Sequence, residues 1–378
     1  MIAKRETCGW AITIISITLI IGCENRKDII DKKDIQRGPT GHSSIRLVED
    51  LKISKENWNP TNLEIDDKGY IYVSDADYAK IYVYDPNGNE IDRKEFKQGQ
   101  GPGDINFLDP GLSLNGNFYI YDKKIRRLTI FDKDWKILDT KVLDGYYLFF
   151  LLDSKNCLYF WKYITKVVES REEVSRSLVK LSSSGRYLGE IFKYKENVDQ
   201  IISNVFYIYL YPPYGIAKLD VEDFLYYSIS DKYEINIASP EGKPIRRIVG
   251  LTKSRPTAAE DSERKIANFE KALARFGNKL EFIIPDRMPA IADFFPFENK
   301  YVLVITYENP ILSPTLKGHL FDQEGNFVSD IEVPRYSRWG DWGGLFKKGA
   351  IYKNSCFYTI EYDEDDNFMV KRYKVVWN

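Results

Sequence analysis

The chain has 378 residues, with 54 Lys and Arg set against 56 Asp and Glu for a formal net charge of −2. That balance excludes the basic excess a nucleic-acid-binding surface needs to neutralise phosphates, so no nucleic-acid partner is expected. Hydrophobic residues make up 43%, ample for a core, and 27 Tyr and 21 Phe favour strands over helices, because flat rings pack well on pleated surfaces.

The first 22 residues read as an export signal. Lys4 and Arg5 give a short positive start, and Ala11 to Ile21 form an apolar run of 11. A bilayer span needs about 20 residues, whereas a run of this length suits a signal-peptide core. It ends in Ile20-Ile21-Gly22-Cys23, which resembles the bacterial lipobox. That resemblance implies cleavage before Cys23 and acylation of its thiol and new amino group, and two or three acyl chains anchor a protein firmly to a membrane. Residues 23–42, polar and interrupted by Gly38, Pro39 and Gly41, then read as a tether between lipid and a domain spanning 43–378.

An internal repeat fixes the architecture of that domain. Residues 69–91 match 116–138 at a constant offset of 47 without a gap: Gly69 with Gly116, Ile71–Asp75 with Phe118–Asp122, Ile81–Asp85 with Leu128–Asp132, and Ile91 with Leu138. Each unit reads as four strands, with a glycine-containing turn before the last. That turn recurs at Pro86-Asn87-Gly88-Asn89, Ser183-Ser184-Gly185-Arg186, Pro240-Glu241-Gly242-Lys243 and Gln323-Glu324-Gly325-Asn326. A tight hairpin there demands positive φ. The inner strands (Tyr70–Val73, Phe224–Tyr227, Tyr301–Ile305) are apolar on successive residues, so both faces must be buried. Blades sandwiched between neighbours achieve this; a simple sandwich leaves one face polar.

Six units follow, at roughly 61–96, 107–143, 147–192, 213–249, 288–333 and 341–378. The expected fold is therefore an all-β, six-bladed β-propeller of four-stranded antiparallel blades. The sixth unit lacks an outer strand, which Ile45–Ile53 can supply by pairing the two ends of the chain. Thr257–Phe276 breaks the pattern: Ile266, Phe269, Leu273 and Phe276 have helical spacing and Gly277 is a stop, so one surface helix is inserted at about 256–277.

Gly69–Asp85, followed by Gly99-Gln100-Gly101-Pro102-Gly103-Asp104, resembles the NHL-like six-bladed propeller lipoproteins of Bacteroidota. The resemblance covers residues 61–143 and implies fold and export; it lends little on function.

Loops between second and third strands, and those between blades, share one end of the ring, and function on rigid scaffolds tends to live in loops. That face is expected to carry Trp58, Asp75, Tyr78, Gln100, Asp122 and Arg126, and the aromatic segment Arg335-Tyr-Ser-Arg-Trp339-Gly-Asp-Trp342. Exposed aromatics beside polar groups suit sugar faces or peptide side chains. Each has a packing alternative, strongest for Asp75 and Asp122, where an Asp after a strand commonly caps its own turn. The Gly-Gln-Gly-Pro-Gly run lacks the Lys-Ser/Thr and helix start of a phosphate loop and reads as a turn.

Only two His are present, His42 in the tether and His319 in a strand, too few for a multi-histidine zinc site or a confident triad. Cys157 and Cys356 fall three blades apart and are expected to stay free, as small buried hydrophobes. The expectation is thus an outer-membrane lipoprotein whose loop face binds a glycan, a peptide or a partner protein, without catalysis and without a cofactor. Two alternatives stay open: a calcium-dependent, lactonase-like hydrolase using acids in the central channel, and a structural subunit of an envelope complex.

Overall fold

A computed structural model of the chain describes residues 45–377, apart from 76–78, 107, 113–115, 169–170, 202–204, 212, 251–253, 274–278, 299, 309–312, 337–347 and 364–366. Six four-stranded antiparallel sheets form a ring. Blade one comprises Pro60–Ile65, Ile71–Asp75, Lys80–Tyr84 and Glu90–Glu95; blade two Pro110–Leu112, Phe118–Asp122, Arg127–Phe131 and Ile137–Val142. Blade three comprises Tyr147–Leu152, Leu158–Val168, Arg171–Leu181 and Tyr187–Ile201; blade four Gly215–Leu219, Leu225–Ile229, Glu234–Ala238 and Pro244–Val249. Blade five comprises Asp293–Phe297, Tyr301–Ile305, Thr315–Asp322 and Phe327–Pro334. Blade six holds Ala350–Lys353, Cys356–Tyr362 and Phe368–Trp377, and its outer strand is Ile45–Ser54. Ile45 pairs with Trp377 and Ser54 with Met369, so the two ends of the propeller close the ring as expected.

The core is divided among the blade interfaces. Ile81 of blade one packs with Phe118, Ile120 and Phe131 of blade two. Tyr121 and Leu128 of blade two meet Phe150 and Phe160 of blade three, and Trp161 of blade three meets Leu225 and Tyr227 of blade four. Blades four and five join through Ile235, Phe294 and Val304, blades five and six through Phe295, Leu303 and Phe357, and blades six and one through Ile360, Val370, Leu63 and Val73. Runs greasy on both faces are thereby buried on both sides, and the outer strands, Glu90–Glu95 and Ile137–Val142, stand almost wholly in water.

The recurrent turn has one construction. Asp85 Oδ1 accepts the amides of Asn87 (2.8 Å) and Asn89 (2.9 Å), while Gly88 takes φ 85°. Gly185, Gly242 and Gly325 take φ 79°, 82° and 85° at the same place.

Two features lie outside the expected pattern. The hairpin of blade three is long, with second and third strands of 11 residues each and an outer strand of 15. Beside the blades, Val205–Tyr209 and Lys279–Ile283 form a parallel pair, a non-local contact with no turn to announce it. The helix spans Ala259–Leu273, between blades four and five. Asp261 at its start accepts the Ala258 amide (3.2 Å) and pairs with Arg255, and its backbone oxygen takes the Tyr211 hydroxyl at 2.5 Å. Ile266 packs against the interface of blades five and six.

Candidate functional site

The expected loop-face residues do not form one cluster. Trp58 is only 5% exposed and packs edge-on to Tyr82 with ring centroids 6.1 Å apart, so its ring serves the core between blades six and one. Asp75 and Asp122 are fully buried. Asp122 Oδ2 accepts the Asn106 amide at 2.6 Å and Oδ1 that of Lys124 at 3.0 Å. Asp75 Oδ2 takes the Asn59 amide at 3.4 Å. Gln100 and Arg126 are exposed, but their backbone oxygens are used, Gln100 by Arg127 Nη1 (2.9 Å) and Arg126 by the Leu143 amide (2.8 Å). Arg335 donates from Nε to the Ser313 backbone oxygen. Tyr78, Trp339 and Trp342 lie outside the described residues, as do Cys23, His42, the signal segment and the tether.

The Gly-Gln-Gly-Pro-Gly segment is a turn, held by Asp104 Oδ2 on the Gly101 amide (2.8 Å) and by Asn106 Nδ2 on the Gly99 oxygen (2.7 Å). A Cβ on Gly99 would sit 2.5 Å from that Asp104 oxygen, which explains the glycine. His319 is buried between blades four and five, with Nδ1 2.6 Å from the Tyr233 hydroxyl and Nε2 3.2 Å from Glu308 Oε1. Cys157 and Cys356 are free, as expected, but half-buried rather than fully so, and burial pushes both thiols up.

The convergent groups lie at the axis of the ring instead. A cavity of about 100 Å³ is lined by residues of five blades, among them Asp109, Phe149, Trp161, Lys218, Asp293 and Lys348. Blade four sends Lys218, whose ammonium lies 3.4 Å from Asp293 Oδ1 of blade five and 4.5 Å from the centroid of the Phe295 ring. Asp293 also accepts from the Tyr336 hydroxyl at 3.3 Å. Lys348, leading into blade six, pairs with Glu64 of blade one, and its amide donates to Asn62 Oδ1 at 3.1 Å. Burial pulls the Lys218 ammonium down against the opposing pull of Asp293.

Asp109 stands immediately before the inner strand of blade two. Its carboxyl makes no hydrogen bond or ion pair with any described residue. Asp109 is only half-buried, but it lines the cavity, and desolvation there pushes its carboxyl up to about 7 although Lys348 and Lys123 pull the other way. Burial likewise brings Lys123 down to about 8, with Asp109 opposing.

Blade three supplies the apolar wall. Phe149 sits where the pairing register of Tyr147–Leu152 slips, at φ 46°, a conformation that bulky side chains rarely adopt. Such bulges re-aim a side chain, and here the bulged residue lines the cavity. Trp161 is 4% exposed, and its Nε1–H has no hydrogen-bond partner among the described residues.

Sequence reading missed this axis. The available signal was a charge inside an apolar inner strand, Lys218 in Gly-Ile-Ala-Lys-Leu and Asp293 before Phe-Phe-Pro-Phe. The calcium alternative needs acids that converge freely on the axis, but Glu64 and Asp293 are each committed to a lysine. Among the described residues no group of three or more His, Cys, Asp or Glu is placed to hold a metal ion.

Fold and axis together define a six-bladed β-propeller with an aromatic-walled cavity at its centre that carries a few charged groups. No family model matches the chain, and no curated protein matches it. Among solved structures it is similar to a protein of Bacteroides fragilis described as exported, at 10% identity and a TM-score of 0.52, covering 89% of this chain and 98% of that one. It is also similar to a member of the DUF4221 family from Bacteroides vulgatus, at 11% identity and a TM-score of 0.50, covering 89% and 99%. At such identities the likeness speaks for the fold alone.

Proposed function

We propose that this chain is an envelope lipoprotein, anchored through Cys23 to the bacterial outer membrane, whose propeller takes a ligand from the loop face into its axis and does not transform it. The single observation that carries the binding reading is the axial cavity, where five blades bring aromatic and charged side chains together around a carboxyl with no hydrogen-bond partner among the described residues. The lipobox-like Ile-Ile-Gly-Cys23 and the description of the Bacteroides fragilis neighbour as exported support the location. A glycan or a peptide fits such a site better than a large protein surface does, because the groups are recessed.

Two measurements test this. Cells fed an alkyne fatty acid should yield a labelled protein whose label is lost in Cys23→Ala; a retained label overturns the anchor. The full-length protein in detergent, applied to glycan and peptide arrays, should be captured by a defined set of spots. Capture by none counts against ligand binding and in favour of a structural subunit.

A further inference from the structure

We propose that the axial cavity seats one neutral sugar residue, with a ring face against Phe149 and hydroxyls bonded to Asp109, Lys218 and Lys348. This rests on the binding reading above and names the class of ligand.

Three observations carry it. The first is Phe149. A phenylalanine at φ 46° is strained, and the bulge that holds it adds a ring to the apolar wall of a cavity that also carries Asp109, Lys218, Asp293 and Lys348. A flat apolar plate is what the C–H face of a sugar covers.

The second is the distribution of charge. Lys218 is matched by Asp293 and Lys348 by Glu64, while Lys123 stands near Asp109. Both described lysines that line the cavity therefore have a carboxylate counterpart. A ligand anion would meet Asp109 and Asp293, and a ligand cation would meet the Lys218 and Lys348 ammonium groups. Closely set donors and acceptors without a net field suit hydroxyls, each of which gives one hydrogen bond and accepts others.

The third is that Asp109 holds unused hydrogen-bonding capacity at the cavity. Its carboxyl offers an acceptor with no partner among the described residues, whereas the Trp161 indole N–H, though also unpaired among them, is closed off from the cavity. Groups left in this state are expected to be satisfied by a ligand or by water. At about 10–15 Å³ per water on this measure, the cavity of about 100 Å³ holds several waters, a space one hexose ring can take.

The test uses the full-length protein in detergent micelles and reads tryptophan fluorescence, since Trp161 lines the cavity. The probes are glucose, galactose, mannose and N-acetylglucosamine, with glucosamine and glucuronate as charged counterparts, each to about 10 mM, ten times a millimolar Kd. At least one neutral sugar should bind. Asp109→Asn and Phe149→Gly should each weaken it roughly tenfold or more, the loss expected for one charge-assisted hydrogen bond or one stacked ring. Glycine accepts the backbone angle of Phe149; should that variant fail to fold, Phe149→Leu replaces it. Melting curves establish that the variants are folded.

Binding by glucosamine or glucuronate alone, lost in Phe149→Gly, overturns the neutral class of ligand and leaves the cavity as a binding site. A neutral sugar bound equally by both variants, or array hits that persist in them, overturns the cavity as the seat while ligand binding by the loop face stands. No response to any neutral sugar overturns the proposal outright.

Discussion

Asp122 holds Asn106 through both its backbone amide (2.6 Å) and its side-chain amide (3.1 Å), and 47 residues earlier Asp75 takes the amide of Asn59 in the same way at 3.4 Å. Asn59 and Asn106 extend the repeat beyond the stretch in which it is obvious. The pair ties the start of each blade to the end of its second strand. A carboxylate fully buried and accepting three described hydrogen bonds is a fastener, so Asp122→Ala is expected to lower stability by about 1–3 kcal/mol, the cost of stranding buried donors. Urea unfolding measures this. Unchanged stability would return Asp122 to the ligand-binding candidates.

Trp135 occupies in blade two the position that Gly88 holds in blade one, and it adopts φ 62° where glycine takes 85°. The strain of a left-handed residue is roughly 1–2 kcal/mol. Against it stands a ring stacked on Phe118 at 4.2 Å and edge-on to Phe96 at 5.9 Å. Burial of a large aromatic and two ring pairs are together worth more than the strain. Trp135→Gly should therefore destabilise by about 1–3 kcal/mol although it restores the residue that the repeat favours. A gain in melting temperature would show that backbone strain outweighs the rings.

These two positions show what was legible in the sequence. The blade count, the closing strand Ile45–Ser54 and the inserted helix follow from local patterns: a period of 47, runs greasy on both faces, helical spacing from Ile266 onward. The axis does not, because Asp109, Lys218, Asp293 and Lys348 are far apart in the chain and meet only when the ring closes. The inner strand of blade two is just three residues long, too short to present any alternation. Trp58 misled for a related reason: a tryptophan ahead of a blade looks like a loop aromatic until the neighbouring blade covers it.

Lys218 and Asp293 join blades four and five across the axis, with side chains 18% and 17% exposed. Removing one partner leaves the other charge in a poorly solvated place. Lys218→Met should cost about 1–3 kcal/mol, below the range for fully buried pairs because water reaches part of the site and Tyr336 still donates to Asp293. Adding Asp293→Asn should recover part of that loss. A double-mutant cycle with no coupling would mean that the two groups do not depend on each other.

Asp109 links stability to pH in the direction opposite to a salt-bridged carboxylate. Its folded value is raised from the ordinary 3.8 to about 7 by desolvation, with Lys348 and Lys123 pulling down and Glu64 pushing up. Between those values the folded protein retains a proton that the unfolded chain has released. Stability from this group therefore falls as pH rises through that window and stays low above it. Asp109→Asn removes the effect. The variant should gain on the order of 1–4 kcal/mol over the parent at about pH 8 and little at about pH 4, in paired urea titrations. An equal gain at both would assign the effect to shape rather than to charge. A natural chain that keeps an ionisable group here at a cost to its own stability has placed it where something other than folding uses it, and the same Asp109→Asn variant that folds more tightly should bind its ligand less well.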